Sequence, residues 1–407
     1  MILLPMAISA TPAMAHHDNV QFMQFLQNVK TNLFKPLLLF FMVGLCIPLL
    51  KIHLEFPQSI YQGLTIYLLI SIGWHGGEEL AVLPPNELVH AGVFMLVGFL
   101  TNGIIGLIAY FLLRTFVPSF RKVDSAAVAA YYGSDSAGTF LTCMGTLQAA
   151  KIAFAPFMPV MLAIMEIPGC LVGLFIVSRL RKHGMDKDGF MPDELALKTT
   201  PKMAVVDAAR DAVREEEILA LEEPLAKNAV ATSSWKSIAK EVLLNPGLFL
   251  LMSGILVGFV SRLQGASVVQ DDDRLFVGLF QGILCLFLLE MGITAAKRME
   301  DLRQADWRFI AFALLAPNLF ACIGLAVCHA FSLATHQTME QGTYVLFAVL
   351  CAAASYIAVP AVQRLAIPEA SPTLPLAASL GCTFVYNVTI GIPLYMFLAQ
   401  QLVSHSH

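Results

Sequence analysis

The sequence contains little charge. Of its 407 residues, 13% are charged and 57% are hydrophobic, whereas a soluble globular domain carries about 25% charged residues. A chain of this length could not cover a water-exposed surface with so few charges. The composition therefore excludes a soluble enzyme and indicates that most of the chain lies in a lipid bilayer.

Two further features are missing, and each excludes a class of protein. The sequence has 25 Lys and Arg against 29 Asp and Glu, so it has no excess of positive charge for binding a nucleic acid. The eight cysteines stand singly within apolar runs, without the paired short spacings of zinc or redox motifs. We interpret these cysteines as packing residues and expect neither a metal site nor a cofactor.

Long apolar runs are abundant instead. A helix crosses a bilayer with about 20 apolar residues, and runs of this kind occur on both sides of one polar interval. The predicted spans are Leu33–Leu50, Ile60–Trp74, Val89–Leu113, Ala126–Leu147, Ile152–Leu180, Leu248–Val260, Leu275–Ala295, Phe309–Phe331, Tyr344–Leu365 and Leu374–Leu402. The sequence thus predicts an all-α polytopic membrane protein with ten transmembrane helices.

The predicted helices fall into two groups of five. Because five is an odd number, the second group has the opposite orientation to the first, which is the inverted-repeat plan of secondary transporters. The predicted division of the chain is an N-terminal segment 1–32, interpreted as a signal-peptide remnant, a first repeat 33–180, a linker 181–241, a second repeat 242–402 and a tail 403–407.

The polar interval between the repeats sets the predicted orientation. From Arg179 to Glu241 the sequence has 11 basic and 12 acidic residues, too many for a membrane span. Short predicted loops on the side of this linker carry more Lys and Arg than loops on the opposite side, which places them in the cytoplasm. We therefore expect a cytoplasmic linker and both termini outside. The linker is interpreted as flexible, or else as a docking surface for a cytoplasmic regulator.

The fourth predicted span of each group contains an interruption. The two segments are Tyr132–Thr139 (YGSDSAGT) and Ala354–Pro360 (ASYIAVP). In hydrocarbon, a helix is broken only where it lines a cavity or is buried in protein. The N-terminus of a half-helix attracts an anion, and free carbonyls and hydroxyls suit a hard cation such as Na⁺. Helices 4 and 9 are therefore predicted to be interrupted at a binding site.

Asp135 is the most informative single residue, because a carboxylate at membrane depth is a functional hypothesis by default. We predict that it coordinates a cation or couples to a proton; the alternative is an acid paired structurally with a neighbouring helix. Glu166 and Glu290 also lie within apolar runs, and they are interpreted as neutral or paired acids.

Four segments carry a resemblance to a known family. They are VDSAAVAAYYGSDSAGTFLTCMGTL (Val123–Leu147), MPVMLAIMEIPGCLVG (Met158–Gly173), LCLFLLEMGITAAKRMEDLR (Leu284–Arg303) and AAASYIAVPAVQRLAIPEASP (Ala352–Pro372). In their order and spacing they resemble the sodium-dependent bicarbonate transporter family of bacterial membrane permeases, from about Leu33 to Leu402.

This resemblance implies a function and partners. It implies a carrier in the bacterial inner membrane, with five-plus-five inverted repeats, that assembles as a homotrimer. The carrier would import bicarbonate by symport, with sodium as the coupling ion. Some relatives have a small trimeric PII-like regulator on the cytoplasmic side, which implies such a partner here.

The resemblance also places the substrate between the two interruptions. The residues predicted to bind the anion are Ser134, Ser136, Ala137, Gly138, Thr139, Ser355, Tyr356 and Ala358. The residues predicted to bind sodium are Asp135, Ser134, Thr139, Ser355 and Thr294.

The chain departs from cyanobacterial members of the family, which carry the acid in the second interruption. With Ser134 aligned to Ser355 across the pseudo-twofold axis, we expect Asp135 to take over the cation site and Tyr356 to reshape the anion pocket. The same fold also suits a carrier of another small anion or carboxylate. A membrane sensor related to transporters is the alternative from a different class.

Overall fold

The computed structural model describes residues 35–54, 56–194, 246–302, 305–356 and 358–404. The predictions for the N-terminal segment 1–32 and for most of the linker fall outside these ranges. Within them the chain is all-helical and contains no β-strand, as the sequence predicted.

The helices before the linker are α1 (Pro36–Leu49), α2 (Gln58–Leu80), α3 (Pro85–Phe116), α4 (Lys122–Tyr132), α5 (Ala137–Ala149), α6 (Met158–Met165) and α7 (Ile167–Lys182). Those after it are α8 (Pro246–Gln264), α9 (Ala266–Phe276), α10 (Phe280–Asp301), α11 (Trp307–Thr335), α12 (Gln341–Ala352), α13 (Ala358–Ala366) and α14 (Thr373–Ser404). Helix α14 contains π-helical turns at Ala377–Phe384 and Asn387–Gly391. Its end at Ser404 lies just beyond the predicted end of the second repeat.

Five helices in the described ranges are long and apolar enough to cross a membrane. They are Pro85–Phe116, Met158–Lys182, Ser267–Met299, Trp307–Thr335 and Thr373–Ser404. Three other predicted spans correspond to shorter helices: α1 has 14 residues, and each of the two interrupted spans is divided into short pieces such as α4 and α12. The number of ten spans stays a prediction.

Two helix pairs are packed with their backbones in contact. Helix α1 lies against α10, where a Cβ added to Gly44 would lie 3.0 Å from the Cα of Gly292. Helix α2 lies against α8, where a Cβ added to Gly254 would lie 3.1 Å from the Cα of Gly73. Small residues allow this close approach, which gives van der Waals contact between membrane helices. Each pair joins a helix that precedes the linker to one that follows it.

A buried ion pair fixes the start of α4. The guanidinium of Arg121 donates through Nε to Asp124 Oδ2 (2.7 Å) and through Nη2 to Asp124 Oδ1 (2.9 Å), and both side chains are buried. The backbone N–H of Ser371 donates to the same carboxylate (2.8 Å). This bidentate geometry is the strong form of an Arg–carboxylate pair. It ties the loop before α4 to the loop between α13 and α14.

The first described residues of the predicted linker, 183–194, are attached to the same place. Arg121 Nη1 donates to the carbonyl of Asp188 (2.6 Å), and the N–H of Lys122 donates to Glu194 Oε1 (2.8 Å). The Glu194 side chain is buried. This part of the linker is therefore packed on the helical body, which corrects its interpretation as flexible.

The C-terminal part of α2 lies against α9, and the contact includes two acidic side chains. Trp74 Nε1 donates to Asp273 Oδ1 (3.0 Å), and Glu78, one turn beyond the predicted end of its span, lies beside Asp273. Burial raises the pKa of Glu78 to about 7, and the proximity and negative charge of the Asp273 carboxyl act in the same direction. Glu78 therefore becomes protonated near neutral pH.

We predict that Gly292→Ala destabilises the protein. Its Cβ would overlap the carbonyl oxygen of Phe41 and lie 2.9 Å from the Cα of Gly44, and overpacking of this kind costs about 1–3 kcal/mol. The measurement is the thermal unfolding midpoint of the purified protein in detergent. Gly282→Ala is the matched control on the same helix, because open space surrounds its Cβ. Equal midpoints for the two variants would contradict the packing described above.

A second prediction concerns pH. Because the pKa of Glu78 is raised on folding, its stabilising contribution is complete below pH 4.5 and is lost as the pH rises through about 7. Glu78→Gln should therefore unfold at a higher temperature than the unmodified protein at about pH 8 and at a similar temperature at about pH 5. Glu87→Gln, at an exposed position, is the control. A difference in midpoint that does not change with pH would count against the contact with Asp273.

Candidate functional site

The first interruption lies between α4 and α5. Helix α4 ends at Tyr132 with Gly133 as its C-cap, and α5 begins at Ala137. Ser136 is extended, and its Oγ accepts hydrogen bonds from the N–H (3.3 Å) and the hydroxyl (3.0 Å) of Thr139. Serine in this position is a favoured N-cap. The helix is interrupted where the sequence predicted an interruption.

The second interruption lies between α12 and α13. Helix α12 ends at Ala352, and α13 begins at Ala358. The N–H of Val359 donates to Ser355 Oγ (3.5 Å), so Ser355 caps the second half-helix. Asn387 Nδ2 donates to the carbonyl of Ala352 (3.0 Å), one of the carbonyls that a helix end leaves free.

The two interruptions are hydrogen-bonded to each other. The N–H of Ser355 donates to the carbonyls of Tyr131 (2.9 Å) and Ser134 (3.2 Å). All three residues are buried. Non-helical backbone at membrane depth must find partners inside the protein, and here each interruption supplies partners to the other. The two segments therefore form one site.

Three buried side chains beside this contact have polar atoms without a hydrogen-bond partner in the described part of the chain. These atoms are Ser134 Oγ, both carboxylate oxygens of Asp135, and the hydroxyl of Tyr356. Ser134 and Asp135 have 0% of their surface exposed. Burying a carboxylate without a partner is costly, so this arrangement is typical of a group that binds an ion.

The N-terminus of α5 lies in the same site. The N–H groups of its first residues, Ala137 and Gly138, have no partners within the helix. The Tyr356 hydroxyl lies against Gly138, because a Cβ added to Gly138 would overlap it. The Tyr356 ring also packs edge-to-face on Phe384, with 5.5 Å between ring centroids.

Several of the predicted site residues have structural partners. Ser136 and Ser355 cap helices, and the hydroxyl of Thr139 is bonded to Ser136. Thr294 lies on α10, where its hydroxyl donates to Glu290 Oε1 (2.6 Å) on the same helix. The Thr294 hydroxyl is thus hydrogen-bonded within α10.

Two residues that were absent from the predicted site lie next to it. Asn102 of α3 is fully buried; its Nδ2 donates to the carbonyl of Met165 (2.9 Å), while its Oδ1 has no partner among the described residues. Glu166 follows directly, and its charge acts on Asp135. In the sequence, the only signal for either residue is a polar side chain within an apolar run.

Together, these features define the class of protein. A chain that is all-helical in its described ranges, with membrane-length helices and two interrupted helices that meet beside buried, unpartnered polar groups, has the architecture of a membrane transporter. The chain belongs to the Na⁺-dependent bicarbonate transporter superfamily, whose family model matches residues 36–400. A comparison with curated protein sequences gives no significant match. The family confirms the resemblance found in the sequence: the chain is a multi-pass membrane protein, a sodium-dependent bicarbonate transporter by family, and not an enzyme.

The Tyr356 hydroxyl generates a prediction. Because it is buried without a partner among the described residues, Tyr356→Phe should leave the stability of the ligand-free protein unchanged or raise it, by up to about 1 kcal/mol. Tyr395→Phe is the matched control, since the Tyr395 hydroxyl donates to Asn387 Oδ1 (2.9 Å) and its loss should lower the thermal unfolding midpoint. A larger loss of stability in Tyr356→Phe than in Tyr395→Phe would show that the Tyr356 hydroxyl has a structural partner.

Proposed function

We propose that the chain is a sodium-coupled secondary transporter that imports bicarbonate by alternating access, with both ions bound between the two interruptions. One observation carries this proposal: the carboxylate of Asp135 is fully buried and, within the described ranges, unpartnered beside the backbone contact of the interruptions. In a sodium-dependent family, an unpartnered carboxylate with neighbouring hydroxyls suits a hard cation.

The proposed cation ligands are Asp135, Ser134, Thr139 and Ser355. Ser134 Oγ is unpartnered among the described residues, and the hydroxyl oxygens of Thr139 and Ser355 retain lone pairs in their present hydrogen bonds. Thr294 is left out of this set because its hydroxyl is bonded to Glu290.

The proposed anion site is the N-terminal end of α5. Free N–H groups and the helix dipole favour negative charge at this end, and Ser136 adds a hydroxyl. Tyr356 would act as a cover that has to move before bicarbonate reaches Gly138, since the two are in contact. Ala358, the first residue of α13, stands at the corresponding end of the second half-helix.

We also propose that the helices before and after the linker form an inverted repeat. Exchanging α1 with α8 and α2 with α10 turns the first glycine contact, Gly44 with Gly292, into the second, Gly254 with Gly73. The first half of the fourth predicted span in each repeat, α4 or α12, ends at an interruption. Counted from these helix ends, Ser355 corresponds to Asp135. Counted from the starts of α5 and α13 it corresponds to Ser134, so the alignment expected from the sequence stays a prediction.

The setting of the transporter is part of the proposal. It comprises the bacterial inner membrane, a cytoplasmic linker with both termini outside, a homotrimer, and a PII-like regulator on the linker. Residues 183–194 support a route for such regulation, because they are bonded to Arg121 and Lys122 at the start of α4, the helix that leads to the first interruption.

The test of this function is labelled bicarbonate uptake into proteoliposomes under an inward sodium gradient. Asp135→Asn should reduce sodium-driven accumulation to the background of empty liposomes, because the amide cannot balance the charge of the cation. Asp272→Asn, at an exposed position of α9, is the control and should retain uptake. Undiminished, fully sodium-dependent uptake by Asp135→Asn would refute the role of Asp135.

The same assay separates the remaining candidates. A helix N-terminus discriminates poorly among small anions, so a carrier of another small anion or carboxylate is the second candidate. It predicts sodium-driven accumulation of a competing anion and none of bicarbonate. A transporter-like sensor predicts binding without accumulation of any anion.

A further inference from the structure

A second acid lies beside Asp135. Glu166 occupies the junction where α6 ends at Met165 and α7 begins at Ile167. One turn farther along α7, a Cβ added to Gly169 would lie only 2.5 Å from the backbone N of Ser134. The wall of the first interruption is therefore formed by the start of α7.

The direction of α7 places Glu166 at the level of Asp135. Gly169 lies against Ala130, Gly133 and Ser134, whereas Gly173, farther along α7, lies against Ala126 and Ala130. The contacts move toward the N-terminus of α4 as they move toward the C-terminus of α7, so the two helices are antiparallel. A residue that precedes Gly169 by one turn must then lie beside the residues that follow Ser134.

Electrostatic contacts agree with this placement. The charge of Glu166 acts on Asp135. It also acts on the thiol of Cys170, which lies beside the hydroxyl of Ser134. No ion pair in the described ranges includes Asp135 or Glu166. Two neighbouring carboxylates without a basic partner repel each other, and a bound cation would remove this repulsion.

Asn102 supplies a neutral amide oxygen from a third element, α3. Its Nδ2 is held by the carbonyl of Met165 (2.9 Å), the residue before Glu166. Its Oδ1 is buried and has no partner in the described part of the chain, as is true of Ser134 Oγ and both oxygens of Asp135. Asn102 and Ser134 thus lie against the α6–α7 junction and the start of α7, at residues on either side of Glu166 in the sequence.

We propose that Glu166 is the second carboxylate of the sodium site, and that Asn102 contributes its amide oxygen while holding the α6–α7 junction in position. This inference rests on the proposed function, in which Asp135 binds sodium, and deepens it. The cation then lies on the side of the first interruption that faces α3 and α7, whereas the ligands predicted from the sequence included Thr294 of α10. Carboxylate, amide and hydroxyl oxygens are the donors that hard cations prefer.

The test compares Glu166→Gln with Glu290→Gln in the proteoliposome assay. Glu166→Gln should raise the sodium concentration for half-maximal bicarbonate uptake by at least about tenfold, with the half-saturating bicarbonate concentration unchanged at saturating sodium. Glu290 is the matched control, since it is also an acid in an apolar helix with one unpartnered oxygen, on α10. Its variant should keep the sodium dependence of the unmodified protein.

A binding measurement makes the test independent of transport. Sodium should raise the thermal unfolding midpoint of the purified protein relative to equal potassium, and Glu166→Gln should lose most of this shift while Glu290→Gln keeps it. If Glu166→Gln does not fold, Glu166→Asp replaces it and should weaken sodium dependence in the same direction.

The outcomes separate the two proposals. Unchanged sodium dependence and an unchanged sodium-induced shift in the Glu166 variants would overturn this inference, while loss of both in Asp135→Asn would leave the proposed function standing. If Asp135→Asn is also unaffected, the proposed function fails as well.

Discussion

The structure depends on satisfying backbone hydrogen bonds at membrane depth. Two interrupted helices expose N–H and carbonyl groups that lipid cannot solvate. The N–H of Ser355 meets this requirement by donating to the carbonyls of Tyr131 and Ser134. Asn387 donates a hydrogen bond to a carbonyl at the end of α12, and Asn102 donates one to a carbonyl at the end of α6, before Glu166. Because the segments complete each other, neither interruption would be stable without its counterpart.

Because the backbone groups are hydrogen-bonded, the unfavourable free energy of the site comes from a few buried polar side chains. Asp135, Ser134 and Tyr356 are buried with oxygens that have no partner among the described residues, an arrangement that a core selected only for stability would avoid. Well-packed surroundings hold these groups in place: the glycine contacts of α1 with α10 and α2 with α8, and the buried pair of Arg121 with Asp124 at the start of α4. A site held in this way keeps its geometry without a ligand.

The sequence predicted the helical class, the family and the position of both interruptions. In the first, glycine, serine and aspartate clustered in an apolar run favour an unwound segment over a continuous helix; in the second, serine, tyrosine and proline mark the position. It did not predict which polar side chains face one another. Thr294 lies in the same kind of apolar run as Asn102, yet Thr294 is bonded to Glu290 and Asn102 to the carbonyl of Met165. The rotation of each helix about its axis determines which polar side chains face one another, and tertiary packing determines that rotation. The packing of residues 183–194 was missed for a related reason, since two partners of Glu194, Arg114 and Lys122, are distant in sequence.

The glycine contacts also bear on biosynthesis. Gly44 and Gly73 precede the linker, and their partners Gly292 and Gly254 follow it. The earlier helices can insert into the membrane as they are synthesised, but the surfaces that receive α8 and α10 stay unfilled until those helices arrive. Tertiary assembly is therefore a late, long-range event. During that interval, the exposed glycine faces of α1 and α2 are the parts of the nascent chain most open to pairing with a wrong helix.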